Sequence, residues 1–178
     1  QRKSDFDREI SVILARGADG EIAVYPVAEN THRGGILRST LAPSGLSAAV
    51  QNQAVAHAVT IAEALGHVGV MAVEMFVLKD GGLLINEIAP RVHNSGHYTW
   101  GACATSQFEQ HLRAVCGLAL GDTTQFTPAV MVNLLGELWE NGEPDWSEAL
   151  RHPNVRLHLY GKARSTAPQR LLEAAAGR

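Results

Sequence analysis

Two glutamates in the most apolar part of the sequence are spaced so that a hairpin would bring them together. Residues 69–78 and 83–89 predict two strands joined at Asp80-Gly81, a dipeptide typical of tight hairpin turns. With these two residues at the centre of the turn, Glu74 faces Glu87, and like charges in that position are destabilising. A cation between them would remove this cost, and oxygen ligands without His or Cys favour Mg²⁺. The alternative is that both acids lie at a strand edge and face water.

The residue beside the second acid, Asn86, carries an amide oxygen that would suit the same cation. Strict alternation along a strand, however, directs its side chain to the opposite face. Alternation also makes both faces of the hairpin apolar, with Ala72, Phe76 and Leu78 on the face of Glu74 and Val73, Met75 and Val77 on the other. Strands with this pattern belong to a sheet that is covered on both sides.

A polar loop, residues 91–101, follows the second strand of this hairpin. Arg91 offers a planar fork of donors for a carboxylate, bicarbonate or phosphate, and His93 and Asn94 can donate hydrogen bonds to an oxyanion. His93 and His97 also have the spacing of a zinc pair on a helix. The residues between them are Asn, Ser and Gly, which are poor helix formers, so the sequence argues against zinc. Taken singly, each of these side chains also suits an ordinary loop.

The composition is that of a globular protein of about one domain. The chain has 178 residues, of which 46% are hydrophobic and 19% charged, and its net charge is -3. This balance gives no basic excess for a nucleic acid or an anionic membrane surface as the main partner. Two cysteines provide no disulfide framework, and no apolar stretch reaches the length of a membrane span. We therefore expect a soluble protein of the reducing cytoplasm.

The first residue of the sequence is not Met. We therefore expect the chain to be the later part of a larger protein.

The remaining sequence predicts the elements that must position these side chains. In chain order they are a hairpin at 9–15 and 21–27, a polar loop at 29–35, a strand at 36–41, a helix at 50–65 and a helix at 106–117. Gly66 is placed to end the first helix in the left-handed conformation, and Ser106 begins the second as an N-cap. Beyond residue 128 a small second unit is predicted, with strands at 129–135 and 155–160, a helix at 145–151 and a weakly helical tail at 163–178.

Four stretches of the sequence together resemble one known family. They are Phe6-Asp7-Arg8-Glu9-Ile10-Ser11, Asn30-Thr31-His32 followed by Gly35-Ile36-Leu37, Gly69-Val70-Met71-Ala72-Val73-Glu74, and Asn86-Glu87-Ile88-Ala89-Pro90-Arg91-Val92-His93-Asn94-Ser95-Gly96-His97. The last is long and unusual, so the resemblance is specific. From about Phe6 to Lys162 the sequence is similar to N5-carboxyaminoimidazole ribonucleotide synthetases, which are ATP-grasp enzymes of bacterial and fungal purine synthesis.

The resemblance implies an α+β fold. An ATP-grasp C-terminal lobe, built as an antiparallel sheet with packed helices, would be followed by a small, mostly-β C-terminal domain. Residues 1–121 would form the later part of the ATP-grasp domain, and residues 122–178 a partial C-terminal domain with a divergent tail. The family's Gly-rich phosphate loop and its hinge against the adenine are missing upstream, and its substrate-binding Arg-rich segment is missing downstream. We therefore expect truncation at both ends and an isolated chain without activity.

The resemblance also implies an activity and roles for individual residues. The family joins ATP, bicarbonate and 5-aminoimidazole ribonucleotide, and forms ADP, phosphate and the N5-carbamate by way of carboxyphosphate. By motif, Glu9 and His32 resemble ATP contacts, Glu74 and Glu87 resemble ligands of Mg²⁺ or Mn²⁺, and Asn86 lies beside them at the ATP site. Arg91, His93 and Asn94 resemble the group that holds bicarbonate and carboxyphosphate, and Lys162 resembles a contact to the ribonucleotide phosphate. Family members are commonly homodimers, so a homodimer is expected, with no nucleic acid and no membrane as partner.

Two other interpretations stay open at this point. In the first, the chain belongs to another ATP-grasp carboxylase or ligase, such as a biotin carboxylase relative, which differs in the molecule that accepts the carboxyl group. The loop from His93 to His97 argues against this interpretation. In the second, the chain is a noncatalytic fragment that folds but acts only as a dimerisation or interaction module and does not bind ATP alone.

Overall fold

The computed structural model describes residues 6–159 and, for the backbone, residues 170–175. In this part of the chain a single sheet contains nine strands: β1 Phe6–Arg16, β2 Ile22–Val24, β3 Ala28–Arg33, β4 Ile36–Ala42, β5 Gly69–Leu78, β6 Leu83–Ala89, β7 Ala129–Leu134, β8 Val155–His158 and β9 Arg170–Ala175. The helices are α1 Ala48–Leu65, α2 Thr99–Ala102, α3 Gln107–Val115 and α4 Ser147–Leu150, with 3₁₀ turns at Asn94–Gly96 and Gly136–Trp139.

The strand order is β6-β5-β1-β3-β4-β7-β9-β8, and β2 pairs with β1. Every strand pair within this sheet is antiparallel, which confirms the predicted antiparallel sheet. Successive residues of β1 and β5 belong to two different core clusters, because neighbouring side chains of a strand point to opposite faces. One cluster contains alanines of α1, and the other contains Tyr98 and Ala102 from the segment after β6. Strand β5 is therefore covered on both sides, as predicted for the hairpin. The prediction was wrong for its partner β6, an edge strand whose residues Leu84, Ile85 and Ile88 are exposed.

Helix α1 packs through a row of small residues. Ala54, Ala58 and Ala62 are fully buried, which lets the helix lie close to the sheet. Leu65, the last residue of the predicted helix, does not join this row, because it is 60% exposed. The predicted cap is confirmed: Gly66 has φ 57° and ψ 27°, and its N–H bonds to the carbonyls of Ala62 and Glu63.

The hairpin of β5 and β6 reaches the predicted pairing of the two acids by an unpredicted route. Its turn has three residues between Leu78 and Gly82, where the predicted turn had two. Met75 consequently faces Ile85, and one extra residue, Asn86, bulges from β6 before the next pair. After this bulge Glu74 faces Glu87, as predicted. The longer turn and the bulge compensate each other.

Three segments differ from their predictions. Residues 29–35 were predicted to be a loop, but β3 occupies most of this range and pairs with β1 and β4. The sequence did not predict β3 because its residues are mostly polar, and a strand that borders a polar cleft lacks the apolar alternation by which strands are recognised. The tail was predicted to be weakly helical, yet residues 170–175 form β9, since pairing with β7 and β8 overrides helix propensity. The polar loop 91–101 contains a 3₁₀ turn and the start of α2.

The sheet continues across the predicted boundary between the two units. Strand β7 pairs with β4 from Ser39↔Val132 to Ala42↔Ala129. The strands at 129–135 and 155–160 are confirmed as β7 and β8, and the helix at 145–151 as the short α4. The division at residues 121 and 122 stays a prediction. Among the helices described, none is long and apolar enough to cross a membrane.

Candidate functional site

A cleft of about 820 Å³ lies beside the hairpin of β5 and β6. It brings together every predicted site residue that the structure describes, namely Glu9, His32, Glu74, Asn86, Glu87, Arg91, His93 and Asn94. Glu9 comes from β1, His32 from β3, Glu74 from β5, and Asn86 and Glu87 from β6. The predicted Lys162 lies outside the described residues. Four strands and the loop after β6 thus contribute to one site.

The two acids of the cleft have unequal environments. Glu74 lies on an inner strand and is only 8% exposed, whereas Glu87 lies on the edge strand and is exposed. Burial raises the pKa of Glu74, and the negative charges of Glu87 and Glu9 raise it further, while His32 opposes them. A buried carboxylate that is costly to ionise next to a second acid is stabilised by a cation. This observation fits a metal between the two acids.

The bulge turns a third oxygen ligand toward the same place. Strict alternation placed Asn86 on the opposite face from Glu87, but the extra residue breaks the alternation and Asn86 lines the cleft. Two carboxylates and an amide oxygen are hard ligands of the kind that suit Mg²⁺. Within the described residues, no group of three or more His, Cys, Asp or Glu side chains could hold a metal ion. The donor set fits an ion that takes its other ligands from water or phosphate.

The ring of His93 is oriented by its neighbour Ser95. The N–H of Ser95 points to Nδ1 of His93 at 3.4 Å, and the Ser95 hydroxyl lies 2.9 Å from the same atom. An Nδ1 that accepts a hydrogen bond leaves the ring proton on Nε2. Nε2 lies 4.0 Å from Oε1 of Glu74. His93 therefore presents an N–H to the interior of the cleft.

The charge of His93 is disfavoured by its surroundings. Burial lowers the pKa of the imidazole most, and the nearby Arg91 lowers it further, while Glu87 opposes them. A neutral ring at pH 7 acts as a hydrogen-bond donor through Nε2 and does not add a second positive charge beside Arg91. The role of His93 as a donor to an oxyanion stays a prediction.

The loop after β6 also brings Asn94 and Arg91 to the cleft. Oδ1 of Asn94 is buried and has no hydrogen-bond partner among the described residues. A buried amide oxygen without a partner is costly, and a ligand that donates a hydrogen bond would remove the cost. Arg91 is exposed, and it uses one guanidinium N–H for the carbonyl of Val92 at 3.0 Å. Its other donors are free to face a carboxylate or phosphate.

The cleft also combines a contact between a histidine and a glutamate with an apolar surface. Nδ1 of His32 contacts the carboxylate of Glu9 across neighbouring strands. Phe6 and Phe76 stack with their ring centroids 4.4 Å apart, and both line the cleft. Sequence reasoning missed the two rings and Ser95. Phe76 lies two positions from Glu74 on the same strand face, and this spacing was the signal that could have placed it in the cleft.

Two family descriptions match the chain in succession. The family model of the ATP-grasp domain matches residues 2–108, and that of the phosphoribosylaminoimidazole carboxylase C-terminal domain matches residues 129–170. The first match covers more than half of the chain and includes all the cleft residues described above.

The chain is similar in sequence and in structure to N5-carboxyaminoimidazole ribonucleotide synthases and synthetases. The N5-carboxyaminoimidazole ribonucleotide synthase of Bacillus subtilis is 50% identical over 157 residues, which are 88% of this chain and 40% of that protein. The crystal structure of the synthetase from Thermus thermophilus superimposes with a TM-score of 0.88 at 48% identity, covering 96% of this chain and 46% of that one. The Aspergillus clavatus synthase in complex with ADP and 5-aminoimidazole ribonucleotide gives a TM-score of 0.85 at 33% identity, covering 97% and 47%.

The chain spans less than half the length of these relatives. The part that it spans contains the paired acids, the bulged Asn86 and the polar loop after β6 in the arrangement described above. With its antiparallel sheet, its cleft and the match over residues 2–108, the chain belongs to the ATP-grasp family, and it is similar in sequence to N5-carboxyaminoimidazole ribonucleotide synthases.

Proposed function

We propose that the chain carries the metal-binding and bicarbonate-binding part of an N5-carboxyaminoimidazole ribonucleotide synthetase. The reaction would join ATP, bicarbonate and 5-aminoimidazole ribonucleotide, and would give ADP, phosphate and the N5-carbamate. The observation that carries this proposal is the single cleft in which the acid pair of β5 and β6 meets the donors of the loop after β6. The similarity to N5-carboxyaminoimidazole ribonucleotide synthases that are 47 to 50% identical supports it.

The chemistry requires the bicarbonate carbon to become electrophilic. Phosphoryl transfer from ATP to bicarbonate gives carboxyphosphate, a mixed anhydride that the amine of the ribonucleotide can attack. In the cleft, the guanidinium of Arg91 and the Nε2–H of His93 would hold the bicarbonate oxygens and the charge that develops on them. Oδ1 of Asn94 would accept a hydrogen bond from the bicarbonate hydroxyl or from the incoming amine. Neutral His93 would donate its hydrogen bond without serving as an acid that releases carbon dioxide early.

Glu74, Glu87 and Asn86 would hold Mg²⁺, and Mn²⁺ has the same preference for oxygen ligands. Bound there, the ion would supply positive charge that neutralises the transferring phosphate. Glu9 and His32, which contact each other in the cleft, would contact the nucleotide. The stacked rings of Phe6 and Phe76 provide apolar surface beside them. Lys162 would contact the phosphate of the ribonucleotide, in keeping with its position in the family motif.

The proposal includes a cellular setting and an assembly. We place the protein in the cytoplasm, where ATP, bicarbonate and the ribonucleotide are available together, and we expect a homodimer in the complete protein. Analytical ultracentrifugation of the complete protein tests the assembly, and a monomer at micromolar concentration would contradict it.

The activity is testable in a chimera. This chain replaces the matching segment of the Bacillus subtilis relative, and ADP formation is measured with bicarbonate and with 5-aminoimidazole ribonucleotide or biotin as acceptor. We expect activity that depends on the ribonucleotide, and we expect Glu87→Gln to abolish it. Glu109→Gln changes an exposed acid of α3 outside the cleft and provides the matched control. A folded chimera that carboxylates biotin and not the ribonucleotide would favour another ATP-grasp carboxylase.

Metal binding is testable on the chain itself. Mn²⁺ is added in small amounts, and the broadening of the ring signals of His32 and His93 is followed by NMR, because a bound paramagnetic ion broadens nearby nuclei. Glu87→Gln should remove the selective broadening of these signals, whereas the exposed His57 of α1 should stay sharp throughout. Equal broadening in the variant would contradict the metal assignment.

Nucleotide binding is testable by calorimetry on the isolated chain. We expect the chain to need the rest of the complete protein to bind ATP·Mg²⁺, and micromolar affinity of the isolated chain would contradict this expectation.

A further inference from the structure

A buried glutamine at the start of α3 holds the backbone of His93. Oε1 of Gln107 accepts a hydrogen bond from the His93 N–H at 3.0 Å, and Nε2 of Gln107 donates to the His93 carbonyl at 2.7 Å. The glutamine side-chain amide thus pairs with both polar backbone groups of one residue. Gln107 is fully buried, and it lies outside the lining of the cleft.

Gln107 is itself held in place by the loop that it contacts. Its backbone N–H donates to Oγ1 of Thr99 at 2.8 Å, and that hydroxyl donates to the carbonyl of Gly96 at 2.7 Å. A Cβ at Gly96 would overlap the side-chain amide of Gln107. The glycine in the sequence Asn-Ser-Gly-His is therefore required by the space that Gln107 occupies, and this ties the loop to α3.

We propose that Gln107 is a positioning residue for the anion-binding loop. Its two hydrogen bonds fix the backbone of His93 and therefore the position from which the His93 side chain extends. From this position Nδ1 contacts Ser95 and Nε2 faces Glu74. Loops that carry donors for a short-lived anion need such support, because a displacement of about 1 Å can cost about 100-fold in rate. The proposal rests on the proposed function only in the role that it gives His93.

The chain offers a matched control on the same helix. Gln110 is also fully buried, and its amide pairs in the same way with the N–H and carbonyl of Gly121, at 2.7 Å each. The two glutamines make equivalent pairs of hydrogen bonds, but only Gln107 reaches the cleft loop. A purely structural role predicts the same consequences for both, whereas a positioning role predicts a difference at His93.

The test compares Gln107→Met and Gln110→Met in the 178-residue chain. The ¹⁵N chemical shifts of the His93 ring are measured by NMR at one neutral pH, with His93→Asn used to assign them. We expect both variants to lower the urea midpoint by a similar amount. Only Gln107→Met should move the two ring shifts toward each other, as the Nε2–H tautomer loses its preference. Ring shifts that stay at their original values in Gln107→Met would overturn the proposal.

Two further measurements keep the test decisive. If Gln107→Met unfolds the chain, Gln107→Asn is read in the same way, because it keeps a buried amide on a side chain that is one methylene too short to make both hydrogen bonds to His93. In the active chimera, Gln107→Met should raise the KM for bicarbonate on the order of 10- to 100-fold, and Gln110→Met should leave it unchanged. Altered ring shifts with an unchanged bicarbonate KM would support the positioning role and would overturn the role of His93 in the proposed function.

Discussion

Lowering the pH should destabilise the chain through one buried histidine, His97. Its side chain is 6% exposed and packs edge-on against Phe108 and His158, with ring centroids 5.2 and 5.4 Å away. Burial lowers the pKa of His97 from 6.5 to about 4, although a hydrogen bond to the carbonyl of Asn94 opposes the shift. The folded state therefore keeps this ring neutral at a pH where the unfolded chain already binds a proton.

The magnitude follows from the difference between the two pKa values. Because the unfolded chain binds the extra proton, the contribution of His97 to stability is complete above pH 6.5 and is lost as the pH falls to about 4. The loss is about 1.4 kcal/mol for each pH unit in this window. Relative to pH 7.5, about 2 kcal/mol is lost at pH 5 and about 3 kcal/mol at pH 4.

Urea unfolding between pH 7.5 and pH 4 tests this reasoning on the original chain and on His97→Asn. The asparagine keeps a donor for the carbonyl of Asn94 but cannot take up a proton, so the variant lacks this part of the pH dependence. We expect the variant to be less stable at pH 7.5 because it leaves a cavity, and the gap to shrink by about 2 kcal/mol at pH 5. His57→Asn, at an exposed position of α1, is the control for removing a surface histidine. Parallel stability curves for the original chain and His97→Asn would refute the reasoning.

Further predictions concern the acid pair, a glycine and a helix cap, and all are measured by urea or thermal unfolding. Without divalent metal at pH 7, Glu74→Gln should raise the free energy of unfolding by about 0.2 to 1 kcal/mol, because it removes one of two facing like charges. Its pKa is raised, so this gain should vanish below the ordinary range of glutamate. Glu109→Gln, which breaks an exposed ion pair of α3, should not increase stability, and a gain there would contradict the argument. Gly101→Ala should cost about 1 kcal/mol or more, because φ is 119° and the new Cβ would overlap Arg156. Ser106→Ala should cost about 1 kcal/mol, since its hydroxyl accepts from a free N–H of α3, and an unchanged midpoint would contradict this.

Features that depend on neighbours along the chain were predictable from sequence. The hairpin of β1 and β2, the cap at Gly66 and the N-cap at Ser106 each rest on a few consecutive residues, and the structure contains all three. The pairing of Glu74 with Glu87 was also predictable, because the acids lie on one local hairpin. The site residues grouped by motif come together in one cleft for the same reason: most of them lie on that hairpin or directly after it.

Features that depend on distant partners were not predictable. Strand β3 has polar residues because it borders the cleft, and β9 is a strand because β7 and β8 lie on either side of it. The bulge at Asn86 restores the pairing of Glu74 with Glu87 that the three-residue turn would otherwise shift by one residue, and alternation alone does not predict it. Gln107 reads as an ordinary polar residue at a helix start. Its pairing with a backbone fourteen positions earlier leaves no periodic signal.

The continuity of the sheet has a mechanical consequence. Strands β4 and β7 join the two family matches by a ladder from Ser39↔Val132 to Ala42↔Ala129, and β7 continues into β9 and β8. A hinge between β4 and β7 would break several backbone hydrogen bonds at once, and each such bond contributes about 0.5 to 1.5 kcal/mol to stability. In hydrogen exchange, the amides of β4 and β7 that form the ladder should therefore open together with those of the central strands. We therefore expect the strands that line the cleft and strands β7, β9 and β8 to move together as parts of one hydrogen-bonded sheet.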